Sequence, residues 1–120
     1  MDAFLEQLLA RRSVRQYIGE EISNDALQLV LQAGLASASG RNQKPWEWVV
    51  VRNRETLVKM SHCRKNGAAK MLQNADCAIV VLGNREKTDM LVEDCSIVMS
   101  NMHLMADHLG LGSCWIQGRM

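Results

Sequence analysis

The stretch from Met90 to Gly118, MLVEDCSIVMSNMHLMADHLGLGSCWIQG, constrains this chain more than any other. Leu91, Cys95, Val98, Met102, Met105 and Leu109 recur at alternating steps of four and three, the period of one helical stripe. Val92, Met99 and Ala106 widen the stripe. Met90, Ile97, Leu104 and Leu111 form a second apolar line, seven residues apart, far round the helix from the first at about 100° per residue. A helix apolar on two sides has two surfaces to bury: one against its own core, the other against a further core layer or another subunit. Gly110 and Gly112 are placed to stop the helix, because glycine accepts the left-handed cap. Ser113-Cys114-Trp115-Ile116 then predicts a short buried strand that ends at Gly118.

A chain of 120 residues forms one domain, here taken as 1–120. A domain of this size buries a modest fraction of its surface, so association would help it. The formal charge of +1 selects neither nucleic acid nor a membrane surface as partner. The N-terminal MDAFLEQLLARR lacks the apolar run of a signal peptide, and no segment approaches the ~20 apolar residues of a membrane span. Cys63, Cys77, Cys95 and Cys114 form no CxxC pair and are expected as reduced thiols in a cytoplasmic protein.

Asp2 is placed to cap a first helix with Phe4, Leu5, Leu8 and Leu9 on its apolar face, and Ser23 to cap a second with Leu27, Val30, Leu31, Gly34 and Leu35. Trp46–Arg52 and Cys77–Leu82 predict strands, the second covered on both faces because its apolar run is continuous. Between them, Asn53 caps a helix carrying Leu57, Val58 and Met60, residues 62–66 form a loop, and Ala68–Leu72 a short helix. The order predicts an α+β fold, an α/β sandwich with a central mixed or antiparallel sheet flanked by helices.

Two segments carry chemistry. Arg11-Arg12-Ser13-Val14-Arg15 places three guanidinium groups and a hydroxyl within five residues, with no acid between Glu6 and Glu20. The guanidinium forks suit bidentate phosphate binding, although basic residues at a helix C-terminus also suit the helix dipole. Ala36–Trp46 is rich in small hydrogen-bonding residues, among them Ser37, Ser39, Asn42 and Gln43, and lets backbone approach a flat polar ligand. His62, Cys63, His103 and His108 lack metal-ligand spacing, and the histidines are expected in solvent. Glu93 and Asp94 are expected on a solvated turn. With no nucleophile motif and no metal cluster, any chemistry falls to a bound organic cofactor.

Three of these pieces together resemble the nitroreductase family. They are Arg11-Arg-Ser-Val-Arg15 after a short helix, Ser37-Ala-Ser-Gly-Arg-Asn-Gln-Lys-Pro-Trp46, and Glu93-Asp-Cys followed by Leu109-Gly-Leu-Gly-Ser-Cys-Trp-Ile116. The resemblance covers nearly the whole chain and corresponds to the N-terminal two-thirds of such proteins. It implies a homodimer holding FMN at the subunit interface and passing hydride from NADH or NADPH to a nitroaromatic, quinone or similar small acceptor. It assigns Arg11, Arg12, Ser13 and Arg15 to the FMN phosphate, the ribityl chain and the pyrimidine edge of the ring. Ser39 and Asn42 would reach the flavin of the partner subunit, and the backbone of Gln117-Gly118 would face flavin N5 and O4. The family loop often has proline where Ala38 stands and glutamine where Lys44 stands. Members usually continue past Met120 with another strand and a further basic phosphate contact, so the resemblance implies a missing C-terminal part. The alternative, which fold resemblance leaves open, is a flavin- or small-ligand-binding module without turnover.

Overall fold

In a computed structural model, which describes residues 1–117, the chain forms four helices and one two-stranded antiparallel sheet. The order is α1 (Ala3–Ala10), α2 (Asn24–Leu35), β1 (Trp46–Val51), α3 (Arg54–Met60), β2 (Ala78–Gly83) and α4 (Leu91–His108). The first three helices start where side-chain oxygens cap them: Asp2 accepts from the Leu5 N–H, Ser23 from Ala26 and Asn53 from Thr56. The end of α4 is a left-handed turn at Gly110, with φ of 78°. There the Gly110 N–H donates to Asp107 and the Leu111 N–H to Ala106, the paired contacts that close a helix at glycine. Gly112 serves another purpose: a Cβ there would come within 2.8 Å of Val14 Cγ1, so the residue lets two segments pass closely.

The main core lies between the sheet and two helices. Val30 of α2, Trp46 of β1, and Val98, Met102 and Ala106 of α4 are buried together, with Trp48, Ile79 and Val81 packed against them. In the register Trp48 faces Val81 and Val50 faces Ile79, so these residues share the sheet face turned to α2 and α4. Gly34 lets α2 approach: a Cβ there would lie 3.1 Å from Met102 and 3.3 Å from Trp48. A smaller core joins Leu57, Ala69, Leu72 and Ala75 with Tyr17, Val51, Ala78 and Ile116.

Several expectations change. The β2 strand is not covered on both faces, because Val49 and Leu82, on the face opposite the main core, are about half exposed. An apolar run alone does not count the layers above a sheet. Residues Ser113–Ile116 form no strand; among the described residues one backbone bond, from the Val14 N–H to the Ser113 carbonyl at 2.9 Å, joins them to a neighbouring segment, and a ladder needs a repeated partner. The short helix expected at Ala68–Leu72 is a 3-10 turn over Lys70–Asn74, and a second 3-10 turn over Lys65–Gly67 falls at the end of the expected loop. Val92, assigned to the inner stripe of α4, is 62% exposed. The apolar residues of α1 also remain exposed, with Phe4 at 69%.

Candidate functional site

The arginine segment leaves the C-terminal end of α1 and runs beside the chain that leaves α4. The Val14–Ser113 backbone bond holds the two segments together, and Tyr17 and Ile116 enter the same small core. The four polar residues of the first segment have different surroundings. Arg11 is half-buried, and its Nη1 lies 3.1 Å from His103 Nε2 on α4. Arg12 turns back, donating through Nη1 to the carbonyls of Leu9 at 2.7 Å and Arg11 at 2.9 Å. It thus satisfies carbonyls that the end of α1 leaves open. Ser13 and Arg15 are exposed, and among the described residues their side chains have no hydrogen-bond partner. Gln117 is exposed on the segment held beside them, and Gly118 lies outside the described residues.

The Ser39–Asn42 loop is built at the other end of α4. Arg41, Asn42 and Lys44 all take left-handed backbone, with φ of 54°, 56° and 49°. Asparagine tolerates that region; arginine and lysine enter it only when the surroundings impose it. Here Ser39 Oγ accepts from the Lys44 N–H at 3.0 Å, and the Ser39 carbonyl accepts from the Asn42 N–H at 3.1 Å. The Gly40 N–H donates to Asp94 Oδ1 at 3.0 Å. The side chains of Arg41, Asn42, Gln43 and Lys44 are exposed, while Pro45 and Trp46 anchor the loop in the interior. Asp94 and His103 are nine residues apart on α4, about 13 Å along its axis. Within one chain, then, the arginine segment and the 39–44 loop attach to well-separated turns of the same helix.

Two residues of this arrangement differ from expectation. Asp94 is 2% exposed rather than solvated; its Oδ2 is buried and without a partner. A signal for this existed, since Asp94, Val98, Met102 and Ala106 are spaced by four along one buried line. His103 is half-buried rather than solvated, bonded to Arg11 and, through Nδ1, to Ser113 Oγ. Its burial and the neighbouring Arg11 charge lower its pKa, and Asp107 works in the opposite direction. No local pattern could have shown this pairing, because its partner lies 92 residues away. Burial also raises the Tyr17 hydroxyl pKa, assisted by Cys114 and opposed by Arg15, so these three groups share one neighbourhood. All four cysteines are free, and no helix among the described residues is long and apolar enough to cross a membrane.

A helix-flanked antiparallel sheet, with an arginine segment laid beside the chain that leaves its longest helix, defines a nitroreductase-like α+β protein. Comparison with known proteins places the chain in a family. The family described as "Putative TM nitroreductase" matches residues 3–120, and the chain belongs to the nitroreductase family. It is 39% identical over 120 residues to a protein of Archaeoglobus fulgidus named "Putative NADH dehydrogenase/NAD(P)H nitroreductase", covering 97% of this chain and 68% of that one. It is similar to a solved "FMN-dependent Nitroreductase" of Clostridium difficile R20291, with 42% identity and a TM-score of 0.92, covering 96% of this chain and 66% of that one. A solved "putative nitroreductase in complex with fmn" from Desulfovibrio desulfuricans aligns with a TM-score of 0.83 at 27% identity, covering 96% of this chain and 68% of that one. The chain thus spans about two-thirds of the length of these relatives.

Proposed function

We propose that this chain contributes to an FMN-dependent oxidoreductase that takes electrons from NADH or NADPH and passes them to a small acceptor such as a nitroaromatic or a quinone. The observation that carries the reading is the pairing of segment 11–15 with segment 113–117 through Val14 and Ser113, in a chain of this family. The donor set fits the cofactor. Arg11, Ser13 and Arg15 offer N–H and O–H donors, no carboxylate lies within their segment, and Ser13 and Arg15 face solvent. These are the groups that bind a phosphate and the carbonyl-bearing edge of a flavin.

When bound, FMN supplies the hydride relay between the nicotinamide and the acceptor. The residues bind and orient. Arg11 and Ser13 would donate to the phosphate, and Arg15 would donate to the pyrimidine edge of the ring. Arg12 caps α1 and thereby fixes the direction in which the segment leaves the helix. The resemblance gives Gln117-Gly118, of which Gly118 lies outside the described residues, backbone N–H donors that would face N5 and O4, where charge develops on reduction. Ser39 and Asn42 would close over the flavin of a second copy. The separation of their loop from the arginine segment along α4 supports that division, since one chain does not bring both to one place. The wiring asks no side chain to act as a nucleophile.

The decisive experiment is spectroscopic. The purified chain, incubated with FMN and dialysed, is expected to retain a flavin absorbance that NADH or NADPH bleaches anaerobically and that a nitroaromatic or quinone restores. Retained flavin that neither nucleotide bleaches would replace the enzyme with a binding module. Arg15→Glu is expected to lose most of the flavin, because a charge-assisted contact becomes a repulsion. Equal flavin content in wild type and variant would overturn the assignment of the segment.

A further inference from the structure

The contact between Arg11, His103 and Ser113 has an internal logic. A guanidinium offers only donors, so the His103 Nε2 that faces Arg11 Nη1 at 3.1 Å is an unprotonated acceptor. The imidazole proton then sits on Nδ1 and is donated to Ser113 Oγ. The Ser113 carbonyl in turn accepts from the Val14 N–H at 2.9 Å, which closes a ring through the arginine segment, α4 and the chain after it. One guanidinium nitrogen is thereby committed, and the remaining donors of the fork are held in a single orientation. The charged groups that face His103 are Arg11 from the segment after α1 and Asp107 from α4 itself. Neutral Gln7 of α1 donates to Asp107 Oδ2 at 2.8 Å and faces His108 Nδ1 at 3.3 Å, and Ser113 is the group presented by the segment after α4.

We propose that neutral His103 is a positioning residue that aims Arg11 at the phosphate of the flavin nucleotide, and that protonation of its ring releases Arg11 and weakens the grip. An imidazolium has donors on both nitrogens and nothing to offer a guanidinium except repulsion. The lowered pKa of His103 agrees with a ring held neutral at physiological pH. The inference rests on the FMN reading given above and adds to it a pH-sensitive support for one phosphate contact.

The test compares FMN with riboflavin, which lacks the phosphate, by titration of flavin fluorescence with the full chain. The ratio of the two dissociation constants reports the phosphate grip. At pH 8, His103→Leu is expected to lower the FMN preference about tenfold, the worth of one hydrogen bond to a charged group. In an Arg11→Gln background the same change is expected to have no further effect. His103→Gln, which keeps an acceptor for Arg11 and a donor for Ser113 without titrating, is expected to match wild type at pH 8 and to lose less preference than wild type at the acid pH where nitrogen NMR shows the His103 ring protonated. That comparison at equal pH removes the titration of the flavin phosphate itself, which falls near pH ~6. Nitrogen NMR of the flavin-free chain is expected to show the proton of His103 on Nδ1.

Equal losses from His103→Leu with and without Arg11, parallel falls in wild type and His103→Gln at the pH where His103 is protonated, or a proton found on Nε2 in the neutral ring would each overturn the inference while leaving the FMN reading intact. A wild type that binds FMN no better than riboflavin would remove the phosphate grip and the inference with it. Should His103→Leu fail to fold, the pH comparison between wild type and His103→Gln decides.

Discussion

Single residues hold this fold at points where no substitute fits. A Cβ at Gly83 would overlap Leu91 Cδ1 and lie 2.7 Å from Leu91 Cγ and 3.1 Å from Cys95 Sγ. The end of β2 and the first turn of α4 meet there without room for a methyl group. Gly83→Ala is expected to cost about 1–3 kcal/mol by overpacking, read as a lower melting temperature; an unchanged melt would mean that the Leu91 side chain turns aside. Asp76 works by charge. Burial alone would raise its carboxyl pKa, but the Ile22 N–H at 2.9 Å and the Arg52 guanidinium at 2.8 Å outweigh burial and hold it below the ordinary 3.8. A carboxyl with a lowered folded pKa binds its proton more readily when unfolded. Its stabilisation is therefore complete above pH 3.8 and is lost as the pH falls through the lower folded value. Arg52→Met is expected to cost about 1 kcal/mol at pH 7 and less at pH 2, measured by urea unfolding; an equal cost at both would assign it to the bonds of Arg52 to the Ile22 carbonyl and Asn24 rather than to its charge on Asp76.

At the scale of elements, α4 organises the chain because it meets α2, the sheet, α1 and both candidate segments. Its first turn carries the 39–44 loop through a single side chain, Asp94, bonded to the Gly40 N–H. Left-handed backbone at Arg41, Asn42 and Lys44 is strained unless it is tied down, and that bond is one of the ties. Asp94→Leu would leave the Gly40 N–H without its acceptor, at a cost of about 1–3 kcal/mol. Amide exchange at Gly40 and Lys44 is expected to quicken while that of β1 stays slow. If the loop amides kept their protection, the bonds of the Ser39 hydroxyl and carbonyl alone would account for its shape.

For the whole molecule, the unresolved matter is cover for apolar surface. Phe4 and Leu9 on α1 and Ile97 on α4 stand exposed, and Leu104 is half-buried. The second apolar line of α4 runs through Ile97 and Leu104, since Met90 precedes the helix and Leu111 follows it to join the main core. The proposed function calls for a second copy, and one seated on this line would bring the 39–44 loop of one chain towards the arginine segment of the other. Ile97→Asp with Leu104→Asp is expected to separate the subunits and release FMN together, followed by sedimentation and flavin absorbance on one sample. A folded monomer that keeps its flavin would refute the shared site.

Local chemistry was legible in the sequence. The caps at Asp2, Ser23 and Asn53, the stop at Gly110, both strands and the period of α4 follow from propensity and hydrogen bonding among near neighbours, and all are found. The arginine segment and the small-residue loop were also visible, because each is a contiguous run. What tertiary structure alone decided depends on partners remote in the chain. The expected strand at Ser113–Ile116 had the right side chains, but a strand exists only where a neighbour continues its ladder, and Val14 supplies one bond. The exposure of Val49 and Leu82 depends on how many layers cover the sheet, which an apolar run does not state. Asp94 and His103, read as solvated, are drawn inside by Gly40 and Arg11, which lie 54 and 92 residues away. A polar side chain is buried only where a partner meets it, and that meeting is a property of the folded chain.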